Sequence, residues 1–261
     1  MISINNLIDI DELQIYFGYP FHINNAISIN SPSVGEIIEF GEKQYYSMVH
    51  MLTCIPSDMK SQLFDSDIDY EELQDFELFI MLTRNLTKEQ TSILLGELDL
   101  SQLNIEKNNE NGELILHGFY EYIDEDGNTI NKEVIIDKYI YMKLVEFIRT
   151  IHNIKPKVEK AANKTTKRIL IDLDRQKIAT ASKEPYKSQL KDLVSAMMRY
   201  PGFKYKSNEL KEISLYEFMD TVQGAQIYLS STALLQGSYS GMIDTSKINK
   251  NEFNWMRSIT D

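Results

Sequence analysis

The chain is poor in the residues that brace a fold covalently or anchor chemistry. It has one cysteine, Cys54, in 261 residues. That excludes an internal disulfide, argues against a structural zinc cluster and points to a reducing compartment. Its four histidines, His22, His50, His117 and His152, are widely separated. No helix can therefore present two imidazoles to one metal ion, and a metal site would have to be assembled from distant segments. Apolar runs are short as well. The longest candidates, residues 78–82 and 227–235, fall far below the roughly 20 residues that span a bilayer. The opening stretch carries Asp9, Asp11 and Glu12 with no basic region before it, unlike a secretory signal. The expectation is a cytoplasmic protein with no membrane contact.

Charge is abundant but polarised. The net charge is −12. Residues 1–150 hold 9 Lys+Arg against 27 Asp+Glu, and residues 151–261 hold 18 against 12. Such polarity fits two halves that attract each other, or two surfaces of opposite sign offered to partners. It suggests an acidic N-terminal region over 1–152, a basic linker or helix over 153–185, and a helical C-terminal region over 186–261. Residues 155–177 hold Lys155, Lys157, Lys160, Lys164, Lys167, Arg168, Arg175 and Lys177. This stretch lacks interleaved aromatics and belongs to an acidic protein, which argues against nucleic acid as the partner.

The local pattern predicts an α+β fold, predominantly α-helical, with a β-hairpin and short N-terminal strands. Residues 13–30 read as two short strands broken by Gly18 and Pro20, the second over 26–29. Ser33 followed by Glu36 is a capping-box pattern opening a helix of about five turns, weakened at Gly41 and stopped by Pro56. A short helix ends near Phe64. Another is predicted from about Asp69, with Glu71, Glu72 and Asp75 in its first turns. Thr87 and Gln90 open a helix closed by Gly96, and residues 98–105 look extended. Asp-Gly between the alternating runs of 113–137 is a strong hairpin signal, with its turn at 124–128. Residues 138–152 return to helical period. Residues 167–179 fit strand or helix, with Lys, Arg, Gln and Ala favouring helix. Helices are predicted over 186–199 and from Ser214 to about Leu235. A glycine-rich turn then precedes a short helix bearing Trp255.

Candidate reactive groups each have a plainer reading. Asp65, Asp67 and Asp69 start like a calcium loop, but Tyr70 stands where glycine is required and Phe76 where a bidentate Glu is required. Asp124, Asp126 and Asn128 fail the same test because Gly127 comes too early. His50 lies four residues before Cys54, spacing that lets an imidazole lower a thiol pKa. The apolar neighbours Met51, Leu52 and Ile55 favour a buried structural thiol instead. No glycine-rich phosphate loop and no G-x-S-x-G elbow occur in the chain. No cofactor, metal or catalytic residue is predicted.

Two stretches carry a family resemblance. Near the front, PSVGEIIEFGEKQYYSMVHML (32–52), with a later DFELF (75–79), resembles a segment of phage proteins from Gram-positive hosts. At the back, GSYSGMID (237–244) followed by Asn254-Trp255 resembles the ending of the same proteins, and LVSAMMRYPGFKYKSNEL (193–210) between them also fits. These proteins are similar to tail assembly chaperones of long-tailed phages, encoded near the tape measure protein. The resemblance implies a non-enzymatic protein of the host cytoplasm. Its implied partners are the tape measure protein and, further, the tail tube protein.

A tape measure protein is a long helical chain whose apolar stripes aggregate when unshielded. A chaperone for it would accept amphipathic helices on an adaptable apolar lining, for which methionine is suited. Met48, Met51, Met197, Met198, Tyr239 and Trp255 are therefore the candidate partner-binding residues, within a wider set that includes Met59, Met81, Met219 and Met242. For Trp255, anchoring of the C-terminal segment is the alternative role. The rival functions are a structural virion component, such as a connector or baseplate part, and a nucleic-acid-binding regulator.

Overall fold

The computed structural model describes residues 11–108, 112–123 and 129–258. Within them the fold is α+β and mostly helical, as the pattern predicts. Helix α1 (Glu12–Tyr16) leads to a two-stranded sheet of β1 (Phe21–His22) and β2 (Ser28–Ile29). Helices α2 (Val34–Phe40), α3 (Glu42–Thr53), α4 (Lys60–Asp65), α5 (Asp75–Thr83) and α6 (Lys88–Leu95) follow. A second sheet holds β3 (Asn104–Lys107), β4 (Leu114–Ile123) and β5 (Thr129–Ile136). The chain continues through α7 (Lys138–Ile151), α8 (Lys164–Ala181), α9 (Gln189–Arg199), α10 (Glu209–Glu212) and α11 (Leu215–Tyr239). The second sheet is antiparallel in the order β3-β4-β5, with Leu116 paired to both Ile105 and Ile136. The hairpin turn expected at 124–128, with its Asp124/Asp126/Asn128 cluster, lies outside the described residues.

Capping chemistry explains several helix starts. Ser33 Oγ accepts from the Glu36 N–H (3.2 Å), and the Glu36 carboxylate accepts from the Ser33 N–H (2.7 Å). Each such cap contributes about 1 kcal/mol. Ser214 accepts from the Glu217 N–H in the same way (3.0 Å), and its hydroxyl donates to the Tyr16 carbonyl (3.0 Å). The two capped starts pair with each other. The Val34 N–H donates to Ile213 O (3.0 Å) and the Leu215 N–H to Pro32 O (2.9 Å). The front stretch of the resemblance thus meets the start of α11 in one antiparallel bridge.

The predicted five-turn helix is two helices. Gly41 sits at φ +98°, a conformation that glycine tolerates and side chains resist, so the axis turns between α2 and α3. The helix expected from Asp69 starts six residues later, at Asp75. Residues 69–73 form turns instead, with the Asp69 carboxylate accepting from the Glu71 N–H (2.9 Å). That local bond competes with helix formation, as Asp side chains commonly do. The two short strands expected within 13–30 form as β1 and β2, the second inside 26–29; ahead of them the chain is helix α1, begun by Asp11 accepting from the Leu13 and Gln14 N–H groups. Gly237 lies inside α11, which runs on to Tyr239, so the glycine-rich turn begins later. Trp255 stands in a turn after a 3-10 segment, Lys250–Phe253, and not in an α-helix.

One main core runs from Ile15 to Val222 and crosses both segment limits read from the charge pattern. Helix α7 lays Tyr141, Leu144, Val145, Phe147, Ile148 and Ile151 into it. Phe21 stacks on Phe147 with ring centroids 4.9 Å apart. Leu116, Val134 and Ile136 bring one face of the three-stranded sheet onto it. A smaller cluster of Cys54, Leu63, Tyr70, Leu78 and Ile171 stands apart. It joins α8 to α4 and carries the pairing of basic and acidic segments anticipated from the charge pattern. No helix among the described residues is long and apolar enough to cross a membrane.

Candidate partner-binding surface

Helix α11 buries Leu215, Phe218 and Val222 in the main core. Beyond Ala225 the chain leaves that core. The distal part, residues 226–239, spans about 20 Å at 1.5 Å per residue. The C-terminal segment folds back along it. Ser231, fully buried, donates its hydroxyl to Glu252 O (2.8 Å). Tyr228 meets Trp255 edge to face at 6.0 Å. Arg257 pairs with Glu252 (2.8 Å). Ile243 packs so closely on Gly237 that an added Cβ would lie 3.1 Å from it. These contacts order the segment, yet they leave much apolar surface in water. Tyr239 is 87% exposed, Met242 84%, Met256 71% and Trp255 53%, with Tyr228 and Leu229 exposed beside them. Large apolar side chains exposed along one ordered segment are candidates for an interaction surface.

The structure separates the six candidate residues into two groups. Met48 and Met197 are buried in the main core, and Met51 is half-buried against it. No partner reaches Met48 or Met197 without displacing that packing. Met198 is exposed on α9, while Tyr239 and Trp255 lie on the C-terminal arm. Of the wider set, Met59 fills the small cluster, Met219 lines the main core, and Met81 and Met242 are exposed. Tyr228, Leu229 and Met256 went unread in the sequence. For Tyr228 and Leu229 a signal is present: the apolar residues of 215–235 spread around the helix, more than one core contact can cover; for Met256 the sequence holds none.

Reactive groups stand in quiet surroundings. Burial, helped by Asp58, pushes the Cys54 thiol up to about 12, so it is a protonated core side chain at neutral pH. His50, four residues earlier, is exposed. His152 approaches Ile148 O through Nδ1 (2.6 Å) and the Tyr45 hydroxyl through Nε2 (2.7 Å). The carbonyl fixes the proton on Nδ1, so Nε2 accepts from Tyr45. Burial pushes the His152 pKa down to about 4. His117 lies between Glu106 (3.2 Å) and Glu133 (3.0 Å) on the outer face of the sheet, and the Glu106 bond leads in raising its pKa. No group of three His, Cys, Asp or Glu side chains among the described residues is arranged to hold a metal ion. A groove of about 590 Å³ is lined by Pro20, Asn30, Ser31, Glu36, Phe40 and Ile93, among others. The Glu36 carboxylate there is already engaged in capping α2.

No protein-family model, curated protein or solved structure matches the chain.

Proposed function

We propose that this protein is a non-enzymatic tail assembly chaperone of a long-tailed phage, holding the tape measure protein in the host cytoplasm during tail morphogenesis, with the tail tube protein as a further partner. The observation that carries this reading is the apolar C-terminal arm: Tyr239, Met242, Trp255 and Met256 stand exposed on an ordered support. The arm coincides with the back stretch of the family resemblance. An amphipathic helix of the tape measure protein would lay its apolar stripe along these side chains, in the helix-in-groove mode. Burying them would remove the exposed patch from both partners.

Co-expression with the tape measure protein tests the reading. The two should co-purify, and the tape measure protein should be insoluble when expressed alone. Replacing Tyr239, Trp255 and Met256 by serine should abolish capture without changing the melting temperature by more than a few degrees. A tape measure protein that stays soluble alone and does not co-purify overturns the reading. Stoichiometric recovery of the chain from purified particles would favour the structural-virion alternative.

A further inference from the structure

Helix α8 is seated on the rest of the molecule as a ligand helix sits on a receptor. Its only fully buried residue is Ile171, which enters the small cluster of Leu63, Tyr70 and Leu78, separate from the main core. One turn before it, Lys167 lies over the Tyr70 ring (5.0 Å) and pairs with Asp69 and with Glu71 (2.8 Å). One turn after it, Arg175 pairs with Asp65 (2.6 Å). Asp174 accepts from both the Ser61 N–H (2.9 Å) and the Ser61 hydroxyl (2.7 Å). Positions 167, 171 and 175 form a single stripe at i, i+4 and i+8. The opposite side of α8, with Ile169 and Leu173, faces water. Residues 154–161 before the helix and 185–188 after it carry no regular secondary structure. Glu159 and Ala161 in the first of these segments are bonded to Ser57 (3.0 Å) and Glu71 (2.6 Å), so release of the helix would break those contacts as well, but α8 itself places no side chain in the main core.

We infer that the acidic shelf made by α4 and residues 65–71 is a docking site for basic amphipathic helices, and that α8 occupies it in cis until such a helix displaces it. The seated helix defines the partner chemistry: a Lys or Arg, an aliphatic residue four positions on, and an Arg or Lys four beyond that. The carboxylates of Asp65, Asp69 and Glu71 ring the aliphatic socket and would be left unpaired by a neutral or acidic helix. An interface of one apolar anchor, the Asp174–Ser61 bonds and ion pairs that are half-buried at Lys167 and exposed at Arg175 is small enough to exchange. In cis, however, α8 competes at an effective concentration in the millimolar range, so the site is closed to weak or non-specific helices. This inference does not depend on which protein the C-terminal arm captures.

The test uses the full chain and a fluorescent synthetic peptide of residues 163–182 as the probe. The double variant Lys167→Glu/Arg175→Glu opens the shelf from the α8 side. It should bind the peptide at least about tenfold more tightly than the wild-type chain does, since the cis competitor is gone. Binding should fall in about 0.5 M salt, and it should be lost when Asp69→Lys and Glu71→Lys are added. A scrambled peptide of the same composition should not bind. Ile171→Ser is a second opened variant with the charges intact, and circular dichroism with an unchanged main melting transition confirms that each variant is folded. If folded opened variants ignore the peptide, or bind the scrambled one equally well, the docking site is refuted. If both variants lose the main melting transition, α8 is an integral part of the core and the inference is equally wrong.

Discussion

At the scale of single residues, His152 shows how burial turns a common side chain into a pH-dependent structural element. In the neutral form Nδ1–H donates to Ile148 O and Nε2 accepts from Tyr45. Protonation makes both nitrogens donors, and the Tyr45 hydroxyl, with no exposure of its residue, loses its acceptor. The folded-state pKa, about 4, lies below the ordinary histidine value near 6.5. The unfolded chain therefore binds more protons between those limits, and stability falls as pH drops from about 6.5 to about 4. His152→Gln should flatten the dependence of melting temperature on pH in that window while lowering stability at pH 7. Cys54 yields a second residue-scale expectation. With its thiol pushed up to about 12 and its side chain buried, alkylation at pH 8 should be slow in the folded protein and rapid in denaturant. A stopped-flow thiol assay measures both.

At the scale of elements, the break between α2 and α3 rests on one backbone angle. Gly41→Ala places a Cβ at φ +98° and should cost about 1–3 kcal/mol by denaturant unfolding. Gly35 serves a different purpose: an added Cβ would lie 2.8 Å from Lys211 O, on the helix packed against α2. Gly35→Ala should destabilise by a similar margin through overpacking, although φ there is ordinary. These elements were unequally legible in the sequence. The capping patterns at Ser33 and Ser214 and the amphipathic period of α7 are local signals, and each marks a helix that forms. Asp69 misleads because an Asp near a helix start looks the same whether it caps the helix or bonds within its own turn. Within 13–30 the aromatic and β-branched content does mark the two short strands β1 and β2, but the bounds are not legible, and the Asp11 cap makes residues 12–16 a helix.

At the scale of the whole molecule, the charge polarity of the sequence becomes a fastening. Lys60 and Lys157 pair with Glu159 (both 2.9 Å), and Lys157, followed by Lys60, holds that carboxyl down at about 2. The hydrogen bond to Lys167 leads in lowering Asp69 and Glu71 below their usual values. Carboxylates with depressed folded-state pKa values stabilise the fold above the ordinary carboxylate range and lose that contribution as pH falls through it towards the folded values. The contacts around α8 should therefore loosen as pH drops from about 5 towards 2, and also at high salt, before the main core melts. A fluorophore pair on Gln62 and Lys177 would report that separation as lost energy transfer. Simultaneous loss of transfer and of helicity would show that α8 melts only with the core.

The α+β class, the helix starts marked by Ser33, Thr87 and Ser214, and the attraction between acidic and basic halves follow from the sequence by itself, because caps, periodicity and net charge are properties of neighbouring residues. The sorting of methionines does not. Met197 and Met198 are adjacent in sequence, yet one is buried and the other exposed, since a helix turns about 100° per residue and only the packed partner decides which side is covered. The same holds for α11. Its apolar composition is local, but the exposure of its distal part follows from where the main core ends, at Ala225. Tyr239 and Trp255 were named from the sequence, and the surface they share with Tyr228, Leu229, Met242 and Met256 exists only because the C-terminal segment folds back along that helix.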